Sequence, residues 1–261
     1  MRKILKEEKI GKGNHWQVFK VIVSENDNVR NVIHKRSVHP RAALRIIKIY
    51  ESLSQSAMKT LAFLDLYDEN TLETENLNAN PDEGYFVTPN TIRSAPHCGS
   101  ILINLISNEN VTDKELELCK DFDLESLIND PSKIDQEKMY KIKLIDSIAE
   151  RFVYDHKIEK IANFEEFIKE MLIDLMSAAK FNLSLFVDAF FFRVNPDTNM
   201  MDYKIADFDG ILCIKDSDTT TQELFAANKE NFETALEEYI IYFVAEQNQD
   251  HYIKAMKKVL V

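Results

Sequence analysis

The stretch Gly11-Lys12-Gly13-Asn14-His15-Trp16-Gln17-Val18 sets two glycines two residues apart between two runs of strand character. Ile4–Ile10 precedes it, and Val18, Phe19, Val21, Ile22 and Val23 make a β-rich run after it. Glycine is scarce elsewhere. The chain has 5 in 261 residues, where an average usage of roughly 7% would give about 18. That scarcity argues against folds made of Gly-rich turns, such as propellers or β-helices. It also means each glycine needs a reason. Here there are two: a hairpin that requires permissive backbone, or a loop whose backbone approaches a phosphate closely.

Working outward, Ser24–Asn31 reads as a polar turn and Val32–Lys35 as a short third strand. Pro40 opens a helical pattern in which Leu44, Ile47 and Leu53 recur, with Ile46 and Ile49 widening the face. From Thr60 to Asn78 the chain returns to β-like runs, followed by a loop over residues 78–84 and an extended segment ending near Pro89. Beyond residue 100 the pattern is helical over 112–128, 135–155, 163–180 and 220–259. Asn163 is an N-cap candidate, and Thr219–Thr221 is a capping cluster or a phosphorylation site. One hairpin interrupts this half, with Phe190–Val194 and the run from Met201 through Ile211 joined by a turn centred on 196–199. The expected architecture is α+β: a β-rich part over 1–78 and a mostly helical part over 79–261.

Four residue groups carry chemistry. Lys35 ends a strand, where an ammonium either reaches phosphate oxygens or points to solvent. Glu51 lies on the following helix, placed to hold Lys35 or to pair with Arg45 or Lys48. Asp207-Phe208-Asp209-Gly210 follows the hairpin. An aspartate there suits Mg²⁺ bound jointly by carboxylate and phosphate, or it simply makes an Asp-Gly turn. Asp188 is the one carboxylate in the loop before the hairpin, a metal ligand or a turn residue.

In chain order the glycine loop, Lys35, Glu51 and then Asp207-Phe208-Asp209-Gly210 resemble the protein kinase superfamily, over about residues 4 to 245. Gly11, Gly13 and Val18 match its glycine-rich loop, with Trp16 where the third glycine stands. Lys35 matches its phosphate-contacting lysine and Glu51 the helix partner. Glu75–Leu77 matches the hinge that holds adenine, and Asp207 the metal-binding aspartate of DFG. Asp209 stands where that motif's glycine is expected, with Gly210 one later. The resemblance implies a two-lobed kinase-like fold that binds ATP and Mg²⁺ and transfers phosphate to a protein or small-molecule acceptor.

The catalytic loop departs from the family. Aligned back from Phe190, the catalytic aspartate falls on Ser184 and the second metal ligand on Ala189. Neither can accept a hydroxyl proton as a carboxylate does. A slip of one residue puts Asp188 at the metal-ligand position, and Asp188 and Asp209 then become candidates for unusual duty. No Ala-Pro-Glu follows the DFG-like motif, and the late helices are trimmed as in minimal kinases of bacterial effectors and in small-molecule kinases of the aminoglycoside class. A pseudokinase acting by protein–protein interaction is the alternative implied.

Composition bounds the rest. With 44 acidic against 32 basic residues and a net charge of −12, the chain lacks the basic balance of a nucleic-acid binder or a protein docked on anionic lipid, and a basic partner or substrate fits better. Cys98, Cys119 and Cys213 form no CxxC and no zinc spacing, so a reducing compartment is expected. With no apolar h-region at the N-terminus and no run long enough to span a bilayer, the expected location is the cytoplasm, or a host cytosol after delivery.

Overall fold

The computed structural model describes residues 2–12, 16–26, 28–37, 39, 41–55, 58, 60–88, 157–214 and 219–260. The expected helices over 112–128 and 135–155 lie outside the described residues. The chain divides into two compact units, one made of 1–89 with 158–261 and the other of 90–157.

The first unit is α+β. Its N-terminal part is a five-stranded antiparallel sheet of β1 (Arg2–Lys12), β2 (Trp16–Glu25), β3 (Asn28–Ser37), β4 (Leu64–Asp68) and β5 (Thr71–Glu75), in the order β1-β2-β3-β5-β4. Helix α1 (Ala42–Gln55) packs on β3, β4 and β5. β2 and β3 pair out to Glu25↔Asn28, so the hairpin turn is much tighter than the polar run predicts. Asn26 supplies the left-handed backbone, φ 50°, that a two-residue turn requires. The polar residues Arg30 and Asn31 sit on strand because that end of the hairpin projects into water.

The helical part holds α2 (Phe164–Lys180), α3 (Thr221–Phe243) and α4 (Glu246–Leu260). The single helical span expected over 220–259 is broken at Val244–Ala245, where Ile158 intervenes. The Ile158 N–H bonds the Phe243 carbonyl and the Ala245 N–H bonds the Ile158 carbonyl, at 2.8 and 2.9 Å. Thr220 caps α3 in a full capping box with Glu223. Asn163 precedes α2 as expected but caps nothing with its side chain. Its amide instead brackets Met201, accepting from the N–H at 2.7 Å and donating to the carbonyl at 2.9 Å.

The expected hairpin forms as β7 (Phe190–Val194) and β8 (Met201–Ile205), and a second small sheet pairs β6 (Leu183–Leu185) with β9 (Ile211–Cys213). An aromatic core joins hairpin to helices. Phe167 meets Tyr203 edge-on at 5.4 Å, Phe190 meets Phe232 at 5.8 Å, and Phe192 meets Tyr239 at 5.4 Å. Such rings bury 150–250 Å² each and prefer these tilted contacts. Gly84 gains its reason here. It has φ +90°, and a Cβ would lie 2.6 Å from the Val194 carbonyl oxygen.

The two parts meet at β8. The Ala62 N–H bonds the Ile205 carbonyl at 2.9 Å, and the Ile205 N–H bonds the Thr60 carbonyl at 3.0 Å. Below this seam the buried Asp174 carboxylate accepts from the Thr60 and Tyr203 hydroxyls. Burial, and then the Asp174 charge, raise the Tyr203 pKa, so its hydroxyl stays protonated as a donor. These bonds fix the chain immediately before Asp207. No described helix is long and apolar enough to cross a membrane.

Candidate functional site

β3 places Lys35. Directly opposite residues of an antiparallel pair share a face, so Val18, which faces Lys35 across β2–β3, lies beside it, and Gly11 stands opposite Val18 on β1. Trp16, opposite Ser37, lies on that same face two residues along. Gly13 lies outside the described residues.

The β7–β8 hairpin delivers Asp207. Its backbone is left-handed, φ 52° and ψ 66°, at the start of a 3-10 turn over Phe208–Gly210. A non-glycine residue held in that region costs about 1–3 kcal/mol and persists where its surroundings demand it. The Lys35 ammonium forms an ion pair with the Asp207 carboxylate, joining residues 172 positions apart. Phe208 seats the turn against α1, its ring edge-on to Tyr50 at 5.4 Å.

Glu51 does not enter this arrangement. Among the described residues Lys35 pairs with Asp207, while Glu51 is exposed on α1. The sequence pattern centres the helix face on Leu44 and Ile47, yet the buried positions are Ala43, Ile46 and Leu53. With Tyr50 also inward, Glu51 lies about 100° further round, past the apolar stripe.

Asp209 lines a cavity of about 400 Å³ between α1 and β9, together with Arg45, Ile49, Ser52, Leu212 and Cys213. Asp209 itself is exposed. Partial burial raises its pKa and Asp207 adds to the rise, while Lys35, Trp16 and Arg45 pull it down. The Trp16 side chain is 7% exposed. Its indole N–H, shut off from solvent, is directed at the Asp209 carboxylate.

The loop before the hairpin is a 3-10 turn over Val187–Ala189 packed on the Phe208–Gly210 turn. The Ala206 N–H bonds the Ala189 carbonyl at 2.9 Å. Asp188 is thus carried to the element beside Asp207 and Asp209, half-buried. Ser184 lies within β6 opposite Leu212, and Ala189 is fully buried. Among the described residues no three His, Cys, Asp or Glu side chains gather as a metal site.

At the expected hinge, the Glu75 carboxylate is occupied by the Phe63 N–H at 3.0 Å and the Lys204 ammonium at 3.3 Å. Glu75 and Leu77 line a recess of about 240 Å³ with Phe86, Arg193, Asp202 and Lys204.

Three features escape the sequence reading. Asn228, fully buried on α3, accepts from the Leu185 N–H at 2.8 Å and donates to the Leu183 carbonyl at 2.9 Å, and Asn231 donates to the Leu185 carbonyl at 2.9 Å. Together they hold β6, and with it the Asp188 turn, on α3. A lone Asn in the series Leu224, Asn228, Phe232 was the available signal. The second is Trp16, legible only as a missing glycine. The third is the buried pair His34–Glu73 on the opposite face of β3, described below.

No family model matches the sequence, and no curated protein matches it. Among solved structures, a crystal structure of a kinase domain is similar at 12% identity with a TM-score of 0.40, over 88% of this chain. The chain spans 62% of that structure's length.

Proposed function

We propose that this chain is a divergent, two-lobed kinase-like protein, with lobes over 1–78 and 79–261, that binds ATP and Mg²⁺ at Lys35, Asp207 and Asp209. The observation that carries the reading is the Lys35–Asp207 ion pair, which sets a cation from β3 against a carboxylate from the turn after β8. The donor set fits the ligand. A lysine on a strand holds phosphate oxygens as a point charge. Mg²⁺ is commonly bound by one or two carboxylates plus substrate phosphates rather than by an all-protein cage, and Asp207 and Asp209 are two such carboxylates. Val18 offers apolar surface next to Lys35 for the base, with the chain around Glu75–Leu77 as its edge.

Bound ATP would supply the phosphoryl group, with Mg²⁺ neutralising its charge. Lys35 would trade part of its contact with Asp207 for phosphate, freeing the carboxylate for the cation. Asp188 would be the carboxylate that accepts a proton from an acceptor hydroxyl, since Ser184 and Ala189 carry none.

The test is thermal unfolding with ATP and MgCl₂. A ligand at 100 times its Kd stabilises by about 2.7 kcal/mol. The wild type should shift and Lys35→Ala and Asp207→Ala should not; an unshifted wild type removes the reading. Incubation with γ-labelled ATP then separates the two classes. Label lost in Asp188→Ala makes the protein a phosphotransferase, and equal label in wild type and Asp207→Ala leaves a nucleotide-binding module.

A further inference from the structure

We infer that the cavity between α1 and β9 is a binding site for a small carboxylate with an apolar body, its charge received by Arg45 and Lys48 and its body covered by Ile49, Ile211 and Leu212. The site stands independently of nucleotide binding. Both walls belong to one compact unit. The helix wall follows from spacing. Residues three and four apart share a helix face, so Arg45, Lys48, Ile49 and Ser52 line α1 on the side turned to β9. On the strand wall Ile211 is buried, while Leu212, large and apolar, keeps 47% exposure. At about 400 Å³ the space has the size of a small-molecule site, and such sites are mostly apolar with a few placed polar groups.

The polar groups set the sign of the ligand. Ser52 donates its hydroxyl back to the Lys48 carbonyl at 3.2 Å, within the helix. Recognition therefore falls to Arg45 and Lys48, with Asp209 as the one acid of the lining. Both cations are exposed, and among the described residues neither has a carboxylate within ion-pair distance. Two cations against one acid make this rim locally positive in a chain of net charge −12. A guanidinium receives a carboxylate through paired, charge-assisted hydrogen bonds, and a lysine adds a point charge. An apolar body beside that carboxylate takes Ile49 and Leu212 out of water, which is favourable in proportion to the area covered. A neutral ligand leaves both cations unused, and a cationic one meets two like charges.

Cys213 lines the cavity as an exposed free thiol, so its alkylation by iodoacetamide, followed by mass spectrometry of its peptide, reports occupancy. The probes are octanoate, octan-1-ol and octylamine, added to the full-length protein. Octanoate should slow the alkylation saturably, roughly tenfold at about ten times its Kd, because the unoccupied fraction falls as 1/(1 + [L]/Kd). Arg45→Gln and Lys48→Gln change exposed helix positions and should leave the fold intact. Arg45→Gln should weaken octanoate about tenfold, as the loss of one charge-assisted hydrogen bond does, and the double variant should lose the protection. Absence of protection by octanoate in the wild type overturns the site. Equal protection by octan-1-ol overturns the anion recognition, and stronger protection by octylamine shows that Asp209 sets the sign instead. Protection unchanged in the double variant overturns the assignment of Arg45 and Lys48. Should the variants fold poorly, the three probes on the wild type decide alone.

Discussion

Residues 34 and 35 are neighbours on β3 and live in opposite surroundings. Lys35 has 21% of its side chain exposed and is joined to a 31% exposed Asp207. His34, on the other face, is fully buried. Its ring lies 4.6 Å from Tyr67, and its Nε2 is 3.0 Å from the carboxylate of Glu73, itself 1% exposed. Arg2 reaches the same carboxylate across the sheet, and Arg30 lies 3.8 Å away. One polar pair is partly open to water; the other is dry and locked. Strand alternation assigns the faces, and burial then separates the two pairs.

The locked side gives the largest expected effect. Glu73→Ala strands His34 and Arg2, and breaking a buried ionic pair from one side costs about 3–5 kcal/mol. Because Arg2 is a quarter exposed and can turn to water, we expect about 3 kcal/mol in urea unfolding. A loss under 1 kcal/mol would erase the contrast between the faces.

Acid should weaken the same face next. Burial lowers the His34 pKa, with Arg36 and Arg2 opposing the charged ring. The folded state therefore takes this proton at lower pH than the unfolded chain, whose histidine titrates near 6.5. Stability is retained above about pH 6.5 and falls as the pH drops towards the depressed folded value. His34→Phe should flatten that segment of the stability–pH curve.

On the open side, Lys35→Ala should cost about 1 kcal/mol or less, since partly exposed ion pairs contribute little. It should nonetheless abolish the ATP·Mg²⁺ thermal shift. A large stability loss would make Lys35 another structural residue. Smallest of all, Glu51→Ala should alter neither unfolding nor the nucleotide shift beyond about 0.5 kcal/mol, as expected at an exposed helix position.

Much of the arrangement around Lys35 and Asp207 was legible because its signals are local. Asp207-Phe208-Asp209-Gly210 follows a hairpin whose alternation and Asn-Pro-Asp turn can be read directly, and Lys35 lies on a β-branched run. The helix partner was not legible. A stripe of Leu44, Ile47 and Leu53 and one of Ala43, Ile46 and Leu53 differ by a small rotation, and only packing against β4 and Phe208 selects between them. Glu51 and Tyr50 exchange roles on that rotation. The Asn228 support was missed for a related reason: a buried amide is recognised by the backbone groups it satisfies, here more than 40 residues away.

By itself the sequence determined the N-terminal strands, the hairpin, the capping cluster around Thr220 and the chain order of Lys35, Glu51 and Asp207. Periodicity of 2 or 3.6 and turn chemistry act within a few residues. Only the tertiary structure decided that Lys35 meets Asp207 and not Glu51, that His34 finds Glu73, and that Trp16 turns inward towards Asp209. Those choices depend on strand register and helix rotation, which are set by the packing of segments far apart in the chain.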